Sequence, residues 1–167
     1  MAASGSGAEE EKKIVREILF KAKLKGRNQW VEGFYCSMRE TTYCFAEDYE
    51  RHPVPLHHLI AVDEMTDWGL PNRLRLYEVD PETVCQYTEF QDEEKVCIFE
   101  NDIVGFLDCT STESGYAEQY CVGKVVWDEE TGAFQVENRL SAESYEVLNR
   151  GCKVLGNIFD TPELLEQ

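Results

Sequence analysis

Positive charge is what this chain has least of. Its 16 Lys and Arg stand against 33 Asp and Glu, for a net charge of −17. The deficit is uneven: Lys12 to Arg27 holds seven bases against Glu17 alone, whereas Asn28 onward holds 29 acids against 9 bases. A surface of that sign repels a phosphate backbone, so direct nucleic-acid binding is disfavoured. Histidine is nearly absent too. His52, His57 and His58 all fall in one proline-bearing stretch. Adjacent residues on an extended chain point opposite ways, so His57 and His58 are poorly placed to share an ion. The seven cysteines are odd in number, contain no C-x-x-C pair and have no histidine neighbour, which argues against a disulfide framework or a zinc site. With no apolar run near 18 residues and no secretory leader, a soluble, reduced, cytoplasmic protein with no membrane contact is expected. Phosphate-cradling G-x-x-x-x-G-K-[ST], H-E-x-x-H, G-x-S-x-G and dinucleotide fingerprints are all missing. No catalytic, cofactor-binding or metal residue is therefore assigned, no cofactor is expected, and the chain is not expected to be an enzyme.

What the chain does have is a core to build. Its 167 residues are 43% hydrophobic, with eight Tyr, eight Phe and three Trp. That length suits one β domain over residues 16–167, behind a small, flexible leader over 1–15. The organising stretch is Val96 to Val104, two β-rich runs broken by Asn101-Asp102, followed by a third strand from Gly123 to Trp127. Asn tolerates the left-handed backbone of a tight turn, so the break reads as a hairpin. Ile98, Ile103, Val104, Val125 and Trp127 recur at strand spacing and are expected to share one core with Ile158 and Phe159.

The remaining elements follow the same logic. Ile18, Phe20, Ala22 and Leu24 alternate with lysines, and with Gln29 to Cys36 they form a hairpin about Gly26. Lys21, Lys23 and Lys25 read as a solvated face or a guard against edge pairing. Thr41 to Phe45 is compatible with a strand, and Ala46 to Glu50 with an acidic turn. Prolines 53 and 55 rule out a central strand over His52 to His58. Leu59 to Val62, Arg73 to Val79 and Val84 to Tyr87 are strands, with Asp80-Pro81 capping a turn of helix between the last two. Leu107 to Gln119, rich in Ser, Thr and acids, is expected to be a long mobile loop. Trp127 to Phe134 is a hairpin, Ser141 to Leu148 a weak helix or turn, Lys153 to Phe159 a last strand, and Thr161 to Leu165 a short terminal helix. Glu100 and Asp102 could pair as carboxylates or hold a cation; the favoured role for Asp102 is to bond the turn backbone. Asp128-Glu129-Glu130 is a solvated hairpin tip. The cysteines sit mostly in apolar strand patterns and pack as small hydrophobes.

Collinear blocks then carry a resemblance. They are Arg16-Glu17-Ile18-Leu19-Phe20-Lys21-Ala22-Lys23 with Trp30-Val31-Glu32-Gly33-Phe34, Tyr77 to Thr88, Phe99-Glu100-Asn101-Asp102-Ile103-Val104, and Val154 to Leu165. Together they resemble the YopX family of phage and prophage proteins. The resemblance implies a mainly β chain, a YopX-like pseudo-barrel containing an SH3-like small barrel, with short helical turns and a short C-terminal helix. It also implies action in the bacterial host cytoplasm and no established activity. Glu89, Lys95 and Asn101 stand where that family commonly has glycine. Asn101 accepts a positive φ with modest strain, whereas Glu89 and Lys95 do so less easily, so the Glu89 to Val96 loop is expected to be reshaped.

Three functional readings remain open at this point. The leading one is a non-enzymatic accessory protein that binds a bacterial host or phage protein. A second is an acidic imitation of DNA that occupies the basic groove of a host DNA-binding or defence protein. A third is a hydrolase or nucleotide-binding protein whose site would gather around His57, Cys44 or Asp102.

Overall fold

The computed structural model describes residues 16–112, 115–138, 147–148 and 151–166. The expected leader over 1–15 lies outside these residues, as does most of Ser141 to Leu148. Among the described residues ten strands form two antiparallel sheets. The first holds β1 (Phe20–Lys23), β2 (Trp30–Arg39), β3 (Leu56–Glu64), β4 (Arg73–Glu78), β5 (Cys85–Gln91) and β6 (Cys97–Phe99), in the order β4-β3-β2-β1-β5-β6. The second holds β7 (Asp102–Thr112), β8 (Gly115–Asp128), β9 (Ala133–Glu137) and β10 (Lys153–Asn157), in the order β10-β7-β8-β9.

Neither sheet closes. A barrel needs its first and last strands paired, and among the described residues β4 and β6 do not meet, nor do β9 and β10. The expected SH3-like barrel and pseudo-barrel are therefore not what this chain forms. The physical reason is that its apolar surface is divided. Ile98, Val104, Phe106, Val125, Phe134 and Val136 form one cluster. Ala22, Ile60 and Val79 form a second. Cys85, Tyr87 and Phe99 form a third, with Phe159 packed on it.

The Asn101 turn is not the expected hairpin: β6 pairs with β5 while β7 pairs with β8 and β10, so the turn carries the chain from the first sheet to the second. The Glu100 N–H donates to the Gln86 carbonyl of the first sheet at 2.8 Å, and the Asn101 N–H donates to the Val125 carbonyl of the second at 2.8 Å. The Asn101 carbonyl accepts from the Ile158 N–H at 3.1 Å, which ties in the C-terminal segment. Beyond β10 the chain folds back closely. Gly156 has no Cβ to strike the Thr161 hydroxyl, and Pro162–Glu166 ends as a 3-10 helix.

Several expectations need correction. The described parts of Leu107 to Gln119 are strand and not loop: 107–112 and 115–119 lie in β7 and β8, which pair without interruption from Ile103↔Lys124 to Thr112↔Gly115, while 113–114 lie outside the described residues. Thr and Ser on a pleated ribbon satisfy strand geometry while looking loop-like in composition. Trp127 is 46% exposed. It lies on the same face as buried Val125, but its partner is Phe134, one pair from the hairpin end, where the covered surface runs out. It keeps only an edge-on contact with Phe134, with centroids 5.0 Å apart. Val125 and Ile103 do share one sheet. His57 and His58 fall inside β3, a central strand that begins at Leu56, just past the prolines. Thr41 to Phe45 is not a strand, and Ala46–Arg51 is a six-residue helix, α1.

The three glycine-replacing residues keep a left-handed backbone, at φ 73° for Glu89, 68° for Lys95 and 65° for Asn101. A buried aspartate holds the Glu89 to Val96 loop. Asp92 accepts from the N–H groups of Glu94 (2.8 Å) and Val96 (2.9 Å), and from that of Val154 in β10 (3.2 Å). Burial alone would raise the Asp92 carboxyl; the three N–H donors hold it below the usual carboxylate range. Lys95→Gly should stabilise the protein by about 0.5–1 kcal/mol, because relief of left-handed strain exceeds the added freedom of the unfolded chain. Urea unfolding checks this; a loss of stability would show that Lys95 carries no backbone strain.

Candidate functional site

The lysine stripe of β1 is not solvated as a whole. The Lys21 side chain is only 13% exposed, and its Nζ lies 2.5 Å from Oδ1 of Asp102, a residue with no exposed surface. The other Asp102 oxygen accepts the Phe99 N–H at 2.8 Å. Burial pushes the Asp102 carboxyl up from the usual range, while Lys21 and the Phe99 N–H act in the opposite direction. The same ammonium sits 4.7 Å from the Phe99 ring centroid and 5.3 Å from that of Trp30. Asp102 does bond the turn backbone, as its sequence position suggests, and Glu100 makes no carboxylate pair with it.

One strand period along, Lys23 Nζ meets Asp160 at 2.6 Å. Asp160 also accepts from Trp30 Nε1 at 2.7 Å and Asn157 Nδ2 at 2.9 Å. Lys23, with Asn157 and Trp30, brings its carboxyl down to about 2. Only Lys25 keeps an exposed ion pair, with Glu78. These groups form a polar seam that locks β1 to the Asn101 turn and the C-terminal segment.

Residues considered for chemistry do not converge. His57 lies between Glu40 (2.8 Å) and Glu78 (3.0 Å), and these hydrogen bonds raise its pKa above the usual 6.5. His58 instead bonds the Tyr35 hydroxyl at 2.5 Å, on the opposite face. Cys44 is exposed on the segment before α1, far in topology from Asp102. Burial raises the Cys85 and Cys152 thiols to about 11, which keeps them protonated at neutral pH. Asp128 binds its own turn, accepting from the Glu130 N–H and the Thr131 hydroxyl. Among the described residues no three His, Cys, Asp or Glu side chains are placed to share a metal ion. A cleft of about 240 Å³ lies between Val122, Lys124, Glu137, Asn138 and Leu165, and holds none of these groups.

The surface that stands out was not singled out in the sequence. In an antiparallel sheet, directly opposed residues share a face. Register places Phe34 opposite Ala61 and Ala61 opposite Leu76, with Cys36 opposite Leu59, Met38 opposite His57, and Leu74 opposite Asp63. The reverse face carries Ile60 and Val62 and packs on the Ala22–Val79 cluster. This face is left open: Phe34 is 54%, Leu74 68% and Leu76 52% exposed, and Met38 is exposed as well. The β3–β4 loop adds Trp68, which is 88% exposed. Carboxylates stand along the same face, with Glu32 two residues before Phe34 and Asp63 opposite Leu74. The available signal was the alternation of Leu74 and Leu76 with Arg73 and Arg75, an apolar face that no element covers among the described residues.

The two shifted groups give opposite pH limbs. Asp160 is depressed when folded, so its stabilisation is present above about pH 4 and lost as pH falls toward 2. His57 is raised, so its stabilisation is present below its usual 6.5 and lost as pH rises through its folded value. Unfolding free energy measured across pH should lose its acid limb in part with Asp160→Asn and its limb above the usual histidine value of 6.5 in part with His57→Gln. Unchanged slopes in these variants would contradict the assignments.

The crystal structure of protein EF1440 from Enterococcus faecalis is similar at 19% identity and a TM-score of 0.49, covering 89% of this chain and 98% of that one. No curated protein matches the chain. Among the described residues no helix is long and apolar enough to cross a membrane. The family model described as YopX protein matches residues 19–166. The blocks on which the sequence resemblance rested lie almost wholly within that span, and the chain belongs to the YopX family of phage and prophage proteins.

Proposed function

We propose that this protein is a non-enzymatic accessory factor that acts in the bacterial host cytoplasm by binding another protein through the open face of β2, β3 and β4. The observation that carries the reading is the exposure of Phe34, Leu74 and Leu76 on a strand array whose reverse face is packed. Exposed apolar groups with acids among them mark a docking surface rather than a solvent face. Aromatic anchors such as Phe34 and Trp68 are the side chains on which interface energy concentrates. The net charge of −17 favours a partner with a basic contact surface and disfavours direct binding of nucleic acid. The absence of catalytic templates in the sequence supports a binding role over turnover.

The test is affinity purification from the bacterial host with the wild-type chain and with Phe34→Asp, both shown to have the same unfolding curve. The wild type should retain a basic protein partner that Phe34→Asp loses by roughly tenfold or more, as for an interface anchor. Recovery of nucleic acid alone, the same partner held equally by both chains, or measured turnover of a metabolite would overturn the reading. A partner held equally by Phe34→Asp but displaced by duplex DNA would instead point to imitation of a phosphate backbone.

A further inference from the structure

Among the described residues nothing pairs with the outer edge of β4. Two other sheet ends are blunted: β6 has three residues, and β10 carries an irregularity between Val154 and Gly156. β4 has neither device. Its six residues run in unbroken register with β3, from Arg73↔Glu64 to Glu78↔Leu59, without proline or bulge. A regular edge of this kind presents a row of unpaired N–H and C=O groups, a template for another strand. Its charge is also unusual for this chain. Residues 73–78 hold two arginines and one glutamate, whereas the chain from Asn28 onward holds 29 acids against 9 bases.

We propose that β4 pairs antiparallel with β4 of a second copy of this chain, with the two-fold axis at Leu76. The two six-stranded sheets then become one continuous sheet, with the Phe34 face open on both subunits. Register follows from face and charge. A two-fold axis perpendicular to the sheet keeps every residue on its own side, so even positions oppose even positions and odd oppose odd. Centring on Arg75 would set two guanidinium groups directly opposite, which repels. Centring on Leu76 sets Leu76 against the partner subunit's Leu76 and Arg75 against the partner subunit's Tyr77. Within one chain Arg75 lies over Tyr77, 5.3 Å from its ring centroid, and both side chains also bond the Glu64 carboxylate, so the same kinds of group would meet across the axis. The apolar row Phe34–Ala61–Leu76 then continues through the axis into the same row of the second subunit.

Two chains of charge −17 repel at long range, while the edge itself does not. Association therefore strengthens with salt, as the screening length falls from roughly 10 Å at 0.1 M to roughly 3 Å at 1 M. Capture of a basic partner should weaken over the same change, so the two proposals fail separately.

Sedimentation equilibrium of the full chain at about 0.1 M and about 1 M salt tests the inference. The expected result is a monomer–dimer equilibrium that shifts toward dimer at high salt. Leu76→Lys, which opposes two charges at the axis, should weaken it by roughly tenfold or more without altering the unfolding curve measured at protein concentrations where the wild type is monomeric. In a Cys36→Ser, Cys44→Ser background, Leu76→Cys should form a disulfide-linked dimer on oxidation and Leu74→Cys should not. The cysteine pair decides the question even if the lysine variant fails to fold. A monomer at both salt concentrations, a dimer indifferent to Leu76→Lys, or cross-linking at 74 in place of 76 would overturn the proposal.

Discussion

The carboxylate of Asp102 is fully buried where the two sheets meet, and that charge constrains everything around it. Taking an ionised carboxylate out of water costs several kcal/mol unless close partners offset it. Two are supplied here, the Lys21 ammonium from β1 and the Phe99 N–H from β6. Because those strands belong to the first sheet and Asp102 begins the second, meeting the electrostatic demand fixes their relative placement. Asn101 must take a left-handed turn to deliver Asp102 there. Phe99 and Trp30 then flank the ammonium, and Lys23 reaches the C-terminal segment at Asp160.

Asp92 repeats the device at a smaller scale. Its carboxylate gathers two N–H groups of its own loop and one from β10, so the β5–β6 connection is bound to the edge of the second sheet. Strain at Lys95 is sustained because this acceptor over-determines the turn. Local conformational cost and long-range contact are thus linked through one side chain. The sheets stay open because seams of this kind, together with three separate apolar clusters, meet the demands that barrel closure would otherwise meet.

Period-two patterning and turn residues made the hairpins about Gly26 and Gly132 legible, and the Asp80–Pro81 cap with them. Asn101 was legible as a turn but misread as a hairpin, because local patterning does not tell which strands its two flanks pair with. Patterning tells which residues share a face, but it is silent on what covers that face. Lys21 and Lys23 looked solvated because their acceptors, Asp102 and Asp160, lie 81 and 137 residues away in the chain. Trp127 has the parity of a core residue and the position of a rim residue, and only the second is set by hairpin length. Leu107 to Gln119 has loop composition on a ribbon whose long pairing with itself, not burial, sets its structure. The open face of β2, β3 and β4 escaped for the same reason as the lysines. Alternation marked Leu74 and Leu76 as one apolar side, and nothing local revealed that this side would stay exposed among the described residues.

The seam between the sheets is the claim on which the rest stands, and a double-mutant cycle on Lys21→Met and Asp102→Ala tests it most directly. Urea unfolding should show that Asp102→Ala and Lys21→Met each cost roughly 3–5 kcal/mol, since each leaves a buried partner uncompensated. The double variant should cost less than the sum by about 2 kcal/mol or more, at the strong end of couplings between contacting residues. Single losses that add to within about 0.5 kcal/mol would contradict the account, because they would show that Lys21 and Asp102 do not depend on each other.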